Sequence, residues 1–395
     1  MRKPPLPFPA MKNCGTLDVM AKKKKQKIRA TFRKNRQVRT RTQNLTDEYR
    51  EHGFEADDST RTERISGKGE LTRKRTVVGV EPADEETGLS IIRDVDVSQC
   101  QAGTVLRSGG LRSSVLGDDG QHYECATRRI LKTLATDQRH VVAAGDRVMF
   151  RPERNNEGII ERIEPRHGVV CRTSRGRQHV LVANVDQLLI ISSAAEPTIK
   201  PHLIDRFLVT AEKWRISPVI CINKIDLINP ADLQPLVGVY AQMGYHVILM
   251  SVQTGRGIEE TRELVQGRQS VVMGQSGVGK SSLLNAIEPD LQLRVNAVSG
   301  ESQKGKHTTT AAQLIPLDMG GFIVDTPGIR QFQLWDVIPQ EVAGFFRDLR
   351  CYVNLCQFPD CTHTHESGCA VKNAVADGGL DARRYESYCQ MFEQS

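Results

Sequence analysis

The sequence has no run of about 18 apolar residues, so no conventional membrane-spanning helix is expected. Its first residues, MRKPPLPFPAM, place prolines where a secretory leader would carry an apolar segment, so a cytosolic protein is expected. In that compartment the ten cysteines are not expected to form a disulfide framework. Acids are missing between Lys22 and Thr46. That tract holds eleven cations: Lys22, Lys23, Lys24, Lys25, Lys27, Arg29, Arg33, Lys34, Arg36, Arg39 and Arg41. They outnumber the net charge of +7, so the rest of the chain is net acidic and the positive character is a local arm. No internal repeat is visible. Residues 1–98 have little apolar periodicity and read as a largely disordered extension carrying the basic arm. Within it, Met20-Ala21-Lys22 reads as a natural start, with 1–19 upstream of it.

What is present fits a soluble multidomain protein. The 395 residues allow two or three domains, and 39% apolar with 26% charged residues is an ordinary globular balance. Short apolar runs at 103–106, 123–126, 146–150 and 158–163 are separated by turns such as Gly117-Asp118-Asp119-Gly120. They predict a small β-barrel over 99–171, for which a five-stranded OB-fold fits the length and an SH3-like barrel is the alternative. From Val180 the texture becomes α/β. Buried parallel strands are predicted at 187–192, 217–222, 246–250, 270–273 and 321–324, with helices at 205–212 and 282–287. This alternation implies a parallel sheet wrapped by helices over 172–345. Residues 346–395 form a tail bearing cysteine and histidine among helical signals.

The α/β segment carries three phosphate-chemistry motifs in an unusual order. Gly274-Gln275-Ser276-Gly277-Val278-Gly279-Lys280-Ser281 fits GxxxxGKS/T between a strand and a helix that continues through Ser282. Its glycines allow a turn whose backbone N–H groups face phosphate; Lys280 can reach the β- and γ-phosphates, and the Ser281 hydroxyl can hold Mg²⁺. Asp325-Thr326-Pro327-Gly328 follows a strand, so Asp325 is a second candidate for Mg²⁺ and the Gly328 N–H for the γ-phosphate. Asn223-Lys224-Ile225-Asp226 ends another strand. Asp226 can accept from guanine N1–H and its exocyclic amine, a pair of donors adenine lacks. Asn223 can bond the base and tether the phosphate loop, while the Lys224 stem covers the base face. Ser251-Val252 resembles the loop that meets guanine O6 through a backbone N–H. In ordinary GTPases the NKxD element comes last; here it precedes the phosphate loop, as in a circular permutation.

Gly305-Lys306-His307-Thr308-Thr309-Thr310 lies where a switch belongs. Thr309 is the favoured Mg²⁺ ligand, with Thr308 and Thr310 as alternatives. Ile329 stands after DTPG, where many GTPases place a water-orienting glutamine nearby, so slow intrinsic hydrolysis is expected and His307 is the candidate helper. In the tail, Cys356, Cys361, His363 and Cys369 supply three thiolates and an imidazole, a closed structural zinc set, with His365 and Cys351 as spares. The basic arm suits nucleic-acid phosphate, RNA above all, with a targeting signal or a solvated tail as alternatives.

Together these motifs resemble the ribosome small subunit-dependent GTPase A family, circularly permuted GTPases of bacterial ribosome assembly. GQSGVGKSSLLN, KHTTT, DTPGI, NKID, the cysteine–histidine cluster and Arg384-Tyr385-Glu386-Ser387-Tyr388 carry the resemblance over residues 20–392. It implies an N-terminal OB-fold, a permuted GTPase domain and a zinc domain gripping the small ribosomal subunit and its rRNA. It also implies GTP hydrolysis stimulated by that subunit, with His307 as the switch histidine. Val252 departs from the family's usual alanine, and 1–19 and 47–98 exceed its usual length. The expected protein is a cytoplasmic, monomeric GTPase that binds GTP, Mg²⁺ and one zinc ion. An RNA-binding module using GTP as a structural ligand is the alternative; an ATPase is a third reading.

Overall fold

Buried apolar residues from five short strands between 101 and 163 close a barrel. In a computed structural model, which describes residues 26–31, 74–80, 92–93, 97–109, 112–128, 131, 141–174, 177–291, 312–325 and 337–394, the chain divides into two compact units. Residues 1–96 and 133–136 form one; 97–132 and 137–395 form the other. In the first, β1 (Gln26–Thr31), β2 (Lys74–Val80) and β3 (Ile92–Arg93) make an antiparallel sheet in that order. The reading of 1–98 as largely disordered made no provision for these strands. Their signal is local: Thr76, Val77, Val78 and Val80 give β2 a run of β-branched residues, and β1 lies inside the basic tract.

In the second unit, β4 (Gln101–Ser108), β5 (Arg112–Gly117), β6 (His122–Thr127), β7 (Arg147–Pro152) and β8 (Glu157–Ile163) pair in the order β4-β5-β6-β8-β7, and β7 returns to β4. The β6–β8 pair is parallel and the others antiparallel. Val105, Val115, Cys125, Val148, Phe150 and Ile160 are fully buried inside. Closure removes the exposed edges that short strands would otherwise present. The chain leaves the barrel through Arg166, whose buried guanidinium bonds both oxygens of Asp146 at 2.7 and 2.8 Å. β9 (Val170–Ser174) and β10 (Arg177–Val182) then form a separate hairpin.

The α/β part is a sheet of β11 (Gln187–Ser193), β12 (Ser217–Asn223), β13 (His246–Leu249), β14 (Gln269–Gly274), β15 (Gln313–Pro316) and β16 (Phe322–Asp325), ordered β13-β12-β11-β14-β16-β15. All pairs are parallel except β15–β16. Residues alternate between faces. Leu188 and Ile190 pack with α1 (Pro201–Trp214) and α2 (Gln234–Gln242). Leu189 and Ile191 pack with α3 (Ile258–Val265) and α4 (Lys280–Ile287). The five predicted strands and both predicted helices are present. β15 was not predicted: it has four residues and ends in Pro316. It also touches the barrel, pairing Gln313 with Arg107 of β4.

Among the described residues four helices follow: α5 (Pro339–Phe345), α6 (Arg350–Val353), α7 (Ala370–Ala376) and α8 (Ala382–Gln394). They gather around Phe346, Leu349, Tyr388 and Met391, and Val209 of α1 joins the same cluster. Val342 and Ala343 belong to it too, so α5 packs with this tail although it precedes the boundary read at 346. Among the described residues no helix is long and apolar enough to cross a membrane.

Candidate functional site

Parallel pairing brings the separated motifs to one place. β12, β13, β14 and β16 all run the same way as β11 or its neighbours, so their carboxyl ends lie on one edge of the sheet. That edge is where open α/β sheets bind ligands. It receives Asn223 from β12, the Ser251 turn from β13, Gly274 from β14 and Asp325, the last residue of β16.

The phosphate loop needs its glycines for space as well as for torsion. A Cβ on Gly274 would lie 2.2 Å from the Ile191 carbonyl oxygen on the neighbouring strand. Gly277 and Gly279 take φ of 80° and 94°, values unfavourable to L side chains. Val278 between them is buried and plugs the loop into the core beside Leu283 and Leu284. Lys280, the first residue of α4, donates from Nζ to the carbonyls of Gly274 (2.8 Å) and Gln275 (2.7 Å). Its ammonium is therefore held across the loop mouth. Ser281 and Ser282 are half-buried in the first turn of the helix; Ser276 is exposed at the loop tip.

The base-reading loop is built by a left-handed turn. Lys224 adopts φ 62°, which buries Ile225 and leaves Asp226 exposed. The Ile225 N–H donates to the Met250 carbonyl at 3.3 Å, and Lys224 Nζ donates to the Glu196 carbonyl. Asn223 is 3% exposed and joins three loops. Its Nδ2 donates to the Val278 carbonyl of the phosphate loop at 2.9 Å, and its Oδ1 accepts from the Val252 N–H at 3.2 Å. Ser251 is fully buried and its hydroxyl accepts from the Thr254 N–H at 3.2 Å. His307, Thr309 with its neighbours Thr308 and Thr310, and Gly328 lie outside the described residues.

A second constellation lies in the C-terminal helices. One ligand atom from each of Cys356, Cys361, His363 and Cys369 lies within 4.8 Å of the others. Cys356 Sγ and Cys369 Sγ are 3.9 Å apart, and His363 Nδ1 is 3.4 and 3.5 Å from them. Zinc bonds of about 2.3 Å to sulfur and 2.0–2.1 Å to nitrogen require tetrahedral edges of roughly 3.6–3.8 Å, so the spacing and the donor set both fit zinc. Burial lowers the His363 pKa, which favours the neutral imidazole a metal needs. Burial pushes the Cys361 thiol up to about 12, so a cation must displace its proton. The spare candidates stand apart: the His365 side chain is 81% exposed, and Cys351 is exposed with its thiol on the Arg347 carbonyl.

The turn between the ligands is held by groups to which sequence reading assigned no role. Burial alone would raise the Glu366 carboxyl, but the Thr362 hydroxyl and amide outweigh it and hold its pKa at about 2. Tyr385 and Tyr388 of α8 donate to the carbonyls of His363 (2.8 Å) and Thr362 (2.6 Å). The tyrosines stood in plain view at 385 and 388; only the packing of α8 on the turn gives them partners.

Residues 163–335 match the family model described as RsgA GTPase. Curated relatives named small ribosomal subunit biogenesis GTPase RsgA include that of Sodalis glossinidius, 37% identical over 318 residues, covering 78% of this chain and 90% of the relative. The Pectobacterium carotovorum protein of the same name is 36% identical over 340 residues, covering 84% and 92%. Among solved structures, YjeQ from Thermotoga maritima is similar with a TM-score of 0.62 and 35% identity, over 75% of this chain and 98% of that one. YloQ, described as a circularly permuted GTPase, is similar with a TM-score of 0.60 and 30% identity, over 76% and 97%.

Proposed function

The chain belongs to the RsgA GTPase family, and on that premise we propose that it binds the maturing small ribosomal subunit and its rRNA, hydrolyses GTP when that subunit stimulates it, and so times its own release. It is a GTP hydrolase. One observation carries the reading beyond the family: Asn223 ties the base-reading loop to the phosphate loop, so both ends of one nucleotide can be held at a single sheet edge.

In this reading Asp226 accepts from the guanine edge, the Lys224 stem lies along the base, and Val252 presents backbone near O6. Backbone N–H groups of 274–281 cradle the phosphates with Lys280, which exchanges carbonyl partners for phosphate oxygens. Ser281, Thr309 and Asp325 would hold Mg²⁺, which neutralises charge on the β- and γ-phosphates. Gly328 offers an N–H to the γ-phosphate, and His307 helps orient the attacking water that Ile329 cannot. Cys356, Cys361, His363 and Cys369 would hold one structural Zn²⁺, a crosslink that braces the turn beside the apolar cluster of Phe346 and Tyr388. The five-stranded barrel is read as the expected OB-fold, and the basic tract at 22–41 as a contact to rRNA phosphates. The protein is read as a cytoplasmic monomer.

GTP turnover measured with and without purified small subunits at low salt tests this. Stimulation of at least about tenfold is expected, and activators of other GTPases give ~10³–10⁵. Turnover that subunits leave unchanged would overturn the reading.

A further inference from the structure

The stretch Arg384-Tyr385-Glu386-Ser387-Tyr388 has no place in the nucleotide chemistry, yet its side chains join the two constellations. Arg384 is 2% exposed. Its Nη1 donates to Oδ1 of Asp205, a fully buried residue of α1, at 2.5 Å. Its Nε and Nη2 clasp both oxygens of Asp348 at 3.0 Å each. The guanidinium lies 4.5 Å from the Phe346 ring centroid, and Tyr240 of α2 donates to the same Asp205 oxygen at 2.9 Å. One residue further along α8, Tyr385 holds the His363 carbonyl, and Tyr388 holds that of Thr362.

Helix α1 reaches the nucleotide site with its other residues. Leu203, Ile204 and Phe207 line a cavity that Gln275 and Val278 of the phosphate loop also line. Among the described residues, three ion pairs join α1 to the C-terminal segment. Lys213–Glu341 and Glu212–Arg347 are partly exposed, so solvent screens them. Asp205–Arg384 is buried and directional. A bidentate buried guanidinium tolerates little displacement, because moving it leaves a carboxylate unpaired.

We propose that Arg384 is a positioning residue for the phosphate loop: through Asp205 it sets α1 against Gln275 and Val278, and through α8 it makes that setting depend on the 362–366 turn. The proposal rests on the GTPase reading and names a route by which a partner docked on the metal-binding turn acts at the nucleotide. Coupling free energy is reciprocal, so bound nucleotide must in turn alter the 362–366 segment.

Amide hydrogen exchange on the full chain, with and without a non-hydrolysable GTP analogue, tests it. The analogue is expected to slow exchange at Lys280–Ile287 and, several-fold, at 362–366 and Ala382–Gln394. In Arg384→Lys the first effect weakens without vanishing and the other two disappear. Protection confined to Lys280–Ile287 in the unaltered protein, or an unchanged remote response in Arg384→Lys, overturns the proposal. No protection at Lys280–Ile287 in the unaltered protein sinks the nucleotide reading instead. Should Arg384→Lys fail to fold, the Tyr385→Phe/Tyr388→Phe variant keeps α1 anchored and is expected to lose the response at 362–366 alone. Its retention there would equally refute the route.

Discussion

Gly279 faces Asn223 so closely that a Cβ at position 279 would stand 2.4 Å from the asparagine Nδ2. The same nitrogen donates to the carbonyl of Val278, one residue earlier. The phosphate loop thus turns directly over the residue that begins the base-reading loop, and neither can move without the other. Gly279→Ala forces the amide aside at φ 94°, where an alanine is also strained by about 1–2 kcal/mol. GTP affinity is expected to fall at least about tenfold, read by titration with a fluorescent nucleotide. Asn223→Ala strips a partner from the Val278 carbonyl and the half-buried Val252 N–H; at about 1–3 kcal/mol for a buried group left unsatisfied, the Val278 bond alone makes the loss roughly 5–150-fold.

Asp226 is exposed, and in the proposed reading it meets the guanine edge. Asp226→Asn replaces two acceptors with one acceptor and one donor. Xanthine presents the matching carbonyl, so preference should move from GTP to XTP. Charge-assisted hydrogen bonds of about 1.5–3 kcal/mol each make this a change of roughly 10²-fold or more in the ratio of kcat/KM values. Unaltered preference for GTP would place base recognition elsewhere.

Arg166 and Asp146 have fully buried side chains, and the Asp146 carboxylate also accepts from the Ala143 N–H at 2.8 Å. Arg166→Met leaves an uncompensated carboxylate inside and should cost about 3–5 kcal/mol in denaturant unfolding. Adding Asp146→Leu should recover part of this. Recovery stays incomplete because the Ala143 N–H then loses its acceptor.

Metal uptake should release protons. Burial holds the Cys361 thiol up at about 12, so near neutral pH it is protonated until a cation binds. Binding then expels at least this proton, and zinc affinity should fall at least about tenfold for each unit by which pH is lowered. His363, whose pKa burial lowers, adds less proton release than a solvated imidazole would. Competition with a chromophoric chelator across pH 6–8 measures the slope; a flat profile would show that the thiol is already ionised.

Zinc removal should also loosen the C-terminal helices more than the sheet. Tyr385 and Tyr388 bond carbonyls of the ligand turn, whereas β11–β14 pack under Ile190, Ile191, Ile220 and Val271. Chelation is therefore expected to speed proteolysis within 346–394 while nucleotide affinity changes less than tenfold. Equal loosening of both parts would show that the tail and sheet unfold together.

Much of the site was legible because its chemistry is written locally. The glycine-rich loop at 274–281, the tetrad at 223–226 and the cysteine–histidine spacing each place their residues within fourteen positions. Strands β11, β12 and β14 announced themselves as apolar runs because both faces of the sheet are covered. β15 did not: it is short and half-buried. Nor did β2, inside a charged stretch. The choice between His363 and His365 stayed less secure in sequence, since both satisfy the spacing; folding turned one toward the thiols and the other to solvent.

The order of motifs along the chain, the ligand types and the identity of each turn residue follow from sequence alone, because they depend on neighbours a few bonds away. Which residues meet across long separations does not. Asp205 and Arg384 are 179 positions apart, and no local pattern in either helix names the other. The parallel register that brings Asn223 beside Val278 arises only when strands stack in one sheet. Those pairings were decided by burial: a guanidinium, a carboxylate or an amide removed from water must find its partner wherever packing has placed one.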